Sequence, residues 1–424
     1  MTRTILHVDF DSFFASVEQQ FDERFRGKPM GVTATNGRTC IIASSKEAKK
    51  LGIKTGARSW EAYKICPSLV LVPADFNKYW EISQRFLNIC NDYSPFVELF
   101  SLDEVFMDVT LTQNLYGGKF ALVKKIKQRI RSEIGEYITV SVGISHNKLL
   151  AKLGSGLKKP DGIFEIKKEK ISEVYKEAEL TDVCGIGDRI AVRLNKLGIY
   201  SLLDLRATPL RFLEKEFGKV YSQILKNIAA GTDDSEVVPY YFGSETKSVG
   251  RNYCLPRNEY DQRKILQNVF ELCEEVGIKL RRLSKKARTV GFYLTGEESY
   301  HGRKTLKSYI DSGAEIFEIF KIFYKEWDLA KKDRQEAMVR QISVWATNLE
   351  DCQNTPLSLF DFENKKNTIQ NTVDSINERF GDHTIRSGFL LYADKLTTVP
   401  NGYMADRFER KKVSEKFQDL LQTK

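Results

Sequence analysis

The sequence predicts an α+β multidomain chain, and three observations carry that expectation. Its 424 residues correspond to about two to four domains. Short β-branched and apolar runs alternate with helical stripes over residues 1–165 and again over 244–347. Between these stretches, from about 166, the composition turns charged and helical. At 42% hydrophobic and 29% charged residues, the chain has apolar material for several cores and is no disordered polymer.

In order, "TILHVDF" (4–10) reads as a buried strand. A helix follows from Ser12 to Phe21, with Asp11 or Ser12 expected as its N-cap. Phe10, Phe13, Phe14 and Val17 form its apolar stripe. "PMGVTA" and "RTCIIASS" pair as strands around the hairpin dipeptide Asn36-Gly37. "SKEAKKLGI" is a helix stopped at Gly52, and "LVLVPA" is a further strand. Residues 76–94 are helical, "FVELFSLDEVFMDVT" is two strands around a turn, 118–135 is helical, and "YITVSVGIS" is a strand. With the first strand, this gives β…αββαβ, a ferredoxin-like sheet with an insertion after strand one. "VCGIGDRIAVRLNKLGIYSLLDL" (183–205) has a Gly-x-Gly turn between helical segments. Residues 229–243 lack apolar periodicity and read as a linker. A second αβ domain follows: strands at "KSVGRNYCL", "ARTVGFYLT", "GRKTLKSYI" and "MVRQISVWATNL", with helices over 261–283 and 313–328. The tail from 348 carries "TPLSLFDF" and a helix-like stretch near 365–380.

The formal net charge is +9, and its positive excess peaks over 243–347 and vanishes in the tail. Such a surface suits nucleic acid, although many soluble proteins are as basic. Seven cysteines form no C-x-x-C pair, which predicts reduced thiols in a cytoplasmic protein and no disulfide or zinc framework. The N-terminal apolar run is too short for a signal peptide, and no run is long enough to span a membrane.

One stretch, "FSLDEVF" (100–106), sets Asp103 and Glu104 side by side in an apolar run. An ionised carboxylate in such a place is costly unless paired, hydrogen-bonded or bound to a metal. Neighbours on a strand face opposite ways, so the two serve one site only at a strand end, bulge or turn. Asp9, at the end of the first strand, is a third carboxylate able to converge with them. Three carboxylates repel, and divalent Mg²⁺ resolves the conflict, since it prefers carboxylate and phosphate oxygens. Two such ions would serve a phosphoryl displacement. The plainer alternative is that Asp103 caps a turn and Glu104 is solvated.

Three motifs occur in order: "HVDFDSFFASVE", "SLDEVFMD" and "SVGISHNKLLAKLGSGLKKPDGI". With the Gly-Ile-Gly turn at 185–187 and "KSVGRNYCLP" at 247–256, the chain resembles Y-family translesion DNA polymerases over about residues 1–347. The resemblance implies a right-hand architecture: a palm at 1–18 and 76–165, small fingers at 19–75, a helix-hairpin-helix thumb at 166–232, a linker at 233–243, a little finger at 244–347, and a tail at 348–424. It implies low-fidelity, template-directed synthesis on primer-template DNA from dNTPs in damage tolerance, by a monomer. A non-catalytic, DNA-binding scaffold is the alternative. By residue it implies Asp9, Asp103, Glu104 and the Phe10 carbonyl as ligands of two Mg²⁺ ions. Phe14 falls on the steric gate that excludes a 2′-hydroxyl, although its place on the apolar stripe equally reads as core. The Phe13 amide faces the triphosphate, and Lys159 contacts it, with Lys148 a weaker candidate.

The sequence departs from the family at "SSKEAKKLG", where many relatives carry Tyr-Glu-Ala-Arg. Lys46 and Lys49 stand there; Lys49 keeps a nucleotide-binding charge but loses the arginine fork. Gly185 and Gly187 match a turn whose N–H groups approach a DNA phosphate. Lys247, Ser248 and Arg251 match a strand tracking the DNA backbone, and residues 281–288 add a basic cluster. "PLSLFDF" resembles the peptides that dock polymerases onto the sliding clamp: Leu357, Leu359 and Phe360 remain, while Pro356 replaces the customary Gln.

Overall fold

The computed structural model describes residues 3–34, 40–242, 246–330, 338–356, 361–381, 384–391 and 393. They form two compact units, one up to residue 243 and one from 244.

The first unit opens with β1 (Ile5–Phe10) and α1 (Phe13–Phe21). Phe13, Phe14 and Val17 are buried, as the stripe predicts. The expected cap is absent. Ser12 precedes the helix at φ 54° without a side-chain cap bond, and the Asp11 carboxylate is used elsewhere. A small subdomain follows: β2 (Met30–Thr33), β3 (Ile41–Ser44), α2 (Lys46–Lys50), α3 (Ser59–Ile65) and β4 (Val70–Pro73). Ser45 caps α2 by accepting the Ala48 N–H. The three strands lie in the order β3-β2-β4, over a core of Ile41, Ile53, Ala62 and Leu69.

The main sheet is completed by α4 (Phe76–Asn91), β5 (Val97–Leu99), β6 (Glu104–Asp108), α5 (Lys119–Arg129), β7 (Val140–Ser145), α6 (Lys148–Leu157) and β8 (Ile163–Glu165). Strand order is β5-β6-β1-β7-β8. Its first four members have the ferredoxin-like order that the βαββαβ pattern predicts; β8 extends the edge in parallel with β7. Alternation divides β1 in two. Leu6, Val8 and Phe10 join Ile82, Phe86, Leu122 and Ile126 in the main core, each such side chain contributing about 1.5–3 kcal/mol by burial. His7 and Asp9 point to the other face.

Four helices follow: α7 (Ile171–Glu177), α8 (Asp188–Lys196), α9 (Leu202–Ala207) and α10 (Leu210–Ala230), the last broken at Gly218 (φ 74°). They share a core that includes Tyr175, Leu194, Leu202 and Leu225. Residues 233–242 then run back over the first unit. The Val238 N–H donates to Glu98, Asn91 donates to the Tyr240 hydroxyl, and Val237 is buried.

The second unit contains β9 (Ser248–Glu259), α11 (Gln262–Arg282), β10 (Lys285–Gly296), β11 (Ser299–Ile310), α12 (Gly313–Ala330), β12 (Val339–Asp351) and α13 (Asp361–Phe380). Its antiparallel sheet has the order β11-β10-β12-β9. Val249, Val290, Phe292, Ile342 and Val344 pack against Val269, Cys273, Ile316 and Phe320 of α11 and α12. The segment beyond 347 adds to this unit. Asp374 of α13 pairs with Arg281 at 2.5 Å, Gln267 donates to the Phe389 carbonyl, and Leu390 enters the core. Leu357, Leu359 and Phe360 lie outside the described residues. All seven cysteines are free thiols, and no described helix is long and apolar enough to cross a membrane.

Candidate active site

The site lies on the face of the main sheet that carries His7 and Asp9. In the β1–β6 register Asp9 stands opposite Glu104, and His7 opposite Phe106. Antiparallel partners share a face, so the pairing brings Asp9 and Glu104 together. Asp103 belongs to the turn before β6. Its carbonyl accepts the Phe10 N–H at 2.9 Å, and the Phe100 and Ser101 N–H groups bond the Glu104 carbonyl. The turn thereby relieves strict alternation, as the adjacent carboxylates require. Phe10 ends β1 with its ring in the core, 2% exposed.

Ligand atoms of His7, Asp9 and Glu104 lie within 4.8 Å of one another. This ligand-spaced trio includes His7, which the sequence reading did not single out, in place of Asp103. The Asp103 carboxylate accepts from the Ser101 hydroxyl at 2.5 Å. Burial raises its pKa, and Glu104 adds repulsion. Asp9 is likewise raised, chiefly by burial, against the opposing Lys159 ammonium. That ammonium lies 2.5 Å from Asp9 Oδ1. Burial also acts to raise Glu104, but His7 and Lys152 outweigh it and hold the group down at about 2. Glu104 Oε2 contacts both the Lys152 ammonium and His7 Nε2, the latter at 2.9 Å.

Asp11 is a second hub, 2% exposed. It accepts from the Thr139 and Ser141 hydroxyls at 2.7 Å each, and from the Asp161 N–H at 2.8 Å. These bonds moor the 159–161 turn beside the end of β1, which sets Lys159 against Asp9. Lys46 donates to Thr139 Oγ1 at 2.9 Å and so reinforces this hub. The Lys49 residue is exposed, yet crowding around its ammonium lowers its pKa, with Lys159 adding repulsion and Asp11 and Asp9 opposing.

Helix α6 supplies Lys152 and Ser155, three residues apart and so on one face. It reaches them inward because β7 has Gly143 beneath it: a Cβ there would stand 1.9 Å from the Ala151 carbonyl oxygen. The Asn147 side chain caps α6 by accepting the Leu150 N–H.

The remaining expected residues fall as follows. Phe13 is buried, and Phe14, 6% exposed, stacks on Tyr79 with ring centroids 4.4 Å apart. Lys148 is committed to Glu98 at 2.7 Å. Gly185 adopts φ 102°, and Gly187 stands at the N-cap of α8. Lys247 and Ser248 are exposed on the second unit. Arg251 departs from expectation as an outward contact: alternation puts it on the helix-covered face with Val249, where it pairs with Glu275 at 2.6 Å. The basic cluster is also largely spent internally. Arg281 pairs with Asp374, Lys285 with Asp351 at 2.9 Å, and Arg288 lies over the Tyr309 ring. His7 had one sequence signal, its place two residues before Asp9 on the same strand face; Lys152 and Ser155 had none beyond helical spacing.

Residues 8–156 match the impB/mucB/samB family, and residues 246–359 match that family's C-terminal domain. The DNA polymerase IV of Acetivibrio thermocellus is 32% identical over 400 residues, 92% of this chain and 98% of that protein. The DNA polymerase IV of Pelotomaculum thermopropionicum is 33% identical over 408 residues, 95% of this chain and 97% of that protein. Among solved structures, the Y-family DNA polymerase chimera Dbh-Dpo4(243-245)-Dbh superposes with a TM-score of 0.69 at 30% identity, over 81% of this chain and 98% of its own.

Proposed function

Since this chain belongs to the Y-family of DNA polymerases, we propose that Asp9, Asp103, Glu104 and the Phe10 carbonyl hold two Mg²⁺ ions at which a dNTP is joined to a primer 3′-hydroxyl. The protein is a DNA-directed DNA polymerase of the translesion kind, metal-dependent as its family is. The observation that carries the site assignment is the register that sets Asp9 opposite Glu104, with ligand atoms within 4.8 Å. The donor set fits: carboxylate oxygens suit a hard divalent cation, and burial disfavours the charged forms of Asp9 and Asp103, a cost that a bound cation would offset. When bound, the metal lowers the pKa of the attacking hydroxyl and neutralises the leaving pyrophosphate.

The chain's own residues do the rest. Lys159, moored through Asp11, grips the triphosphate. Lys49 lends charge at its rim, and the Phe13 N–H faces the same phosphates. The 3′-oxygen bonds to the α-phosphorus as the α–β phosphoanhydride breaks. Phe14 gates the sugar, braced on Tyr79. Gly185, Gly187, Lys247 and Ser248 grip the DNA backbone, a contact that positions without reading sequence. Leu357, Leu359 and Phe360 dock the enzyme, a monomer, on a sliding clamp.

The test is primer extension on plain and lesion-bearing templates. Asp103→Ala/Glu104→Ala should lose about 10³-fold or more in rate; undiminished extension would remove the carboxylates from the chemistry. In the same assay Phe14→Leu should admit ribonucleotides, and unchanged sugar discrimination would return Phe14 to the core.

A further inference from the structure

We propose that His7 is a positioning residue for polymerisation: its Nε2–H orients the Glu104 carboxylate, and Ser155 on α6 holds the ring at its other nitrogen. The proposal rests on the reading of Glu104 as a metal ligand.

The imidazole is fully buried. Nε2 lies 2.9 Å from Glu104 Oε2, and Nδ1 lies 2.7 Å from Ser155 Oγ. An ionised carboxylate only accepts, so Nε2 carries the hydrogen. Ser155 Oγ also lies 2.8 Å from the Lys152 carbonyl, so the hydroxyl ties the imidazole to α6 at the nitrogen turned away from Glu104.

Packing locks the ring plane. Phe106, opposite His7 in the register, stands with its ring centroid 4.6 Å away. Glu104, by contrast, has a long side chain whose other contact is the Lys152 ammonium, which also lies over the Phe100 ring. His7 is the partner held on the same sheet as Glu104. Both contacts fall on Oε2, which leaves Oε1 to be turned toward Asp9 and a cation. Hydrogen bonds to ligating groups of this kind are worth about 10–100-fold in metal affinity or activity.

The experiment uses the full chain and Mn²⁺ as the probe, with free Mn²⁺ followed by electron paramagnetic resonance and folding checked by circular dichroism. Relative to the parent, His7→Leu should bind Mn²⁺ about 10-fold more weakly. His7→Gln, whose amide places a donor near Nε2, should recover most of that loss, and Ser155→Ala should fall between. Extension by His7→Leu should return on raising the metal concentration, with the dNTP KM unchanged. A folded His7→Leu that binds Mn²⁺ like the parent, or a His7→Gln as weak as His7→Leu, overturns the proposal. Should His7→Leu fail to fold, unchanged Mn²⁺ affinity in Ser155→Ala does so. Glu104→Ala separates the two levels: if it binds Mn²⁺ normally, the ligand assignment fails; if it loses binding while the His7 variants keep theirs, only the positioning role fails.

Discussion

At Asp9 and Asp103, burial opposes charge and prevails over the neighbouring hydrogen bonds and lysine, so both carboxyls are raised above their ordinary range. Folding therefore favours their protonated forms. In the metal-free protein these two groups make stability fall as pH rises from the ordinary carboxylate range through their raised values. A divalent cation competes with those same protons. The stabilisation that Mg²⁺ gives should accordingly be largest at neutral pH and shrink as pH falls through the raised values. Thermal melts with and without Mg²⁺ from neutral pH down to the ordinary carboxylate range check this, and a pH-independent gain would contradict it. Of the groups concerned, the three carboxylates were legible in the sequence because charge inside an apolar run demands a reason. Asp11 was not: its partners Thr139, Ser141 and Asp161 lie 128 to 150 residues away, and local spacing suggested a helix cap in its place. Lys152 and Ser155 were hidden for a related reason, since nothing in a helical stripe says which strand it will face.

Among the elements, α6 and β7 are the pair on which the site depends. Gly143 admits α6 to within contact of the sheet, whereas Gly156 on the outer side of the same helix has nothing within 4 Å of a built Cβ. The two glycines should respond in opposite ways to alanine. Gly143→Ala forces helix and strand apart, costing about 1–3 kcal/mol or more, and should impair extension by displacing Lys152 and Ser155. Gly156→Ala, in the last turn of α6, removes only chain entropy and should stabilise by up to about 0.5 kcal/mol. Calorimetry and primer extension on the two variants separate the outcomes, and equal behaviour would deny α6 its close seat. The elements themselves were readable from period and β-branching, down to the ferredoxin-like order of β1, β5, β6 and β7. Arg251 shows where that reading stopped: a strand is visible from its residues, but which of its faces a helix covers is fixed by register across β12.

For the molecule as a whole, the second unit extends past the boundary at 347 that the resemblance implied. A chain ending at Pro356 would lose Asp374, the partner of Arg281, and would open the slot that Leu390 fills. Burial of one leucine is worth about 2 kcal/mol, so the transition of that unit should fall by roughly 5 °C; an unchanged transition would make α13 an appendage. Only a helical tendency near 365–380 was visible beforehand, because the acids that hold α13 look like any solvated helix face until Arg281 is seen beneath them. The strand pairings also govern how the chain comes off the ribosome. β1 emerges first yet occupies the middle of its sheet, and it must wait for β6 and β7, about a hundred residues later, before it has neighbours. β9 waits similarly for β12. The nascent chain thus carries β1, a buried apolar strand in the folded unit, without its neighbours until β6 has emerged, an interval in which a holdase chaperone has something to bind.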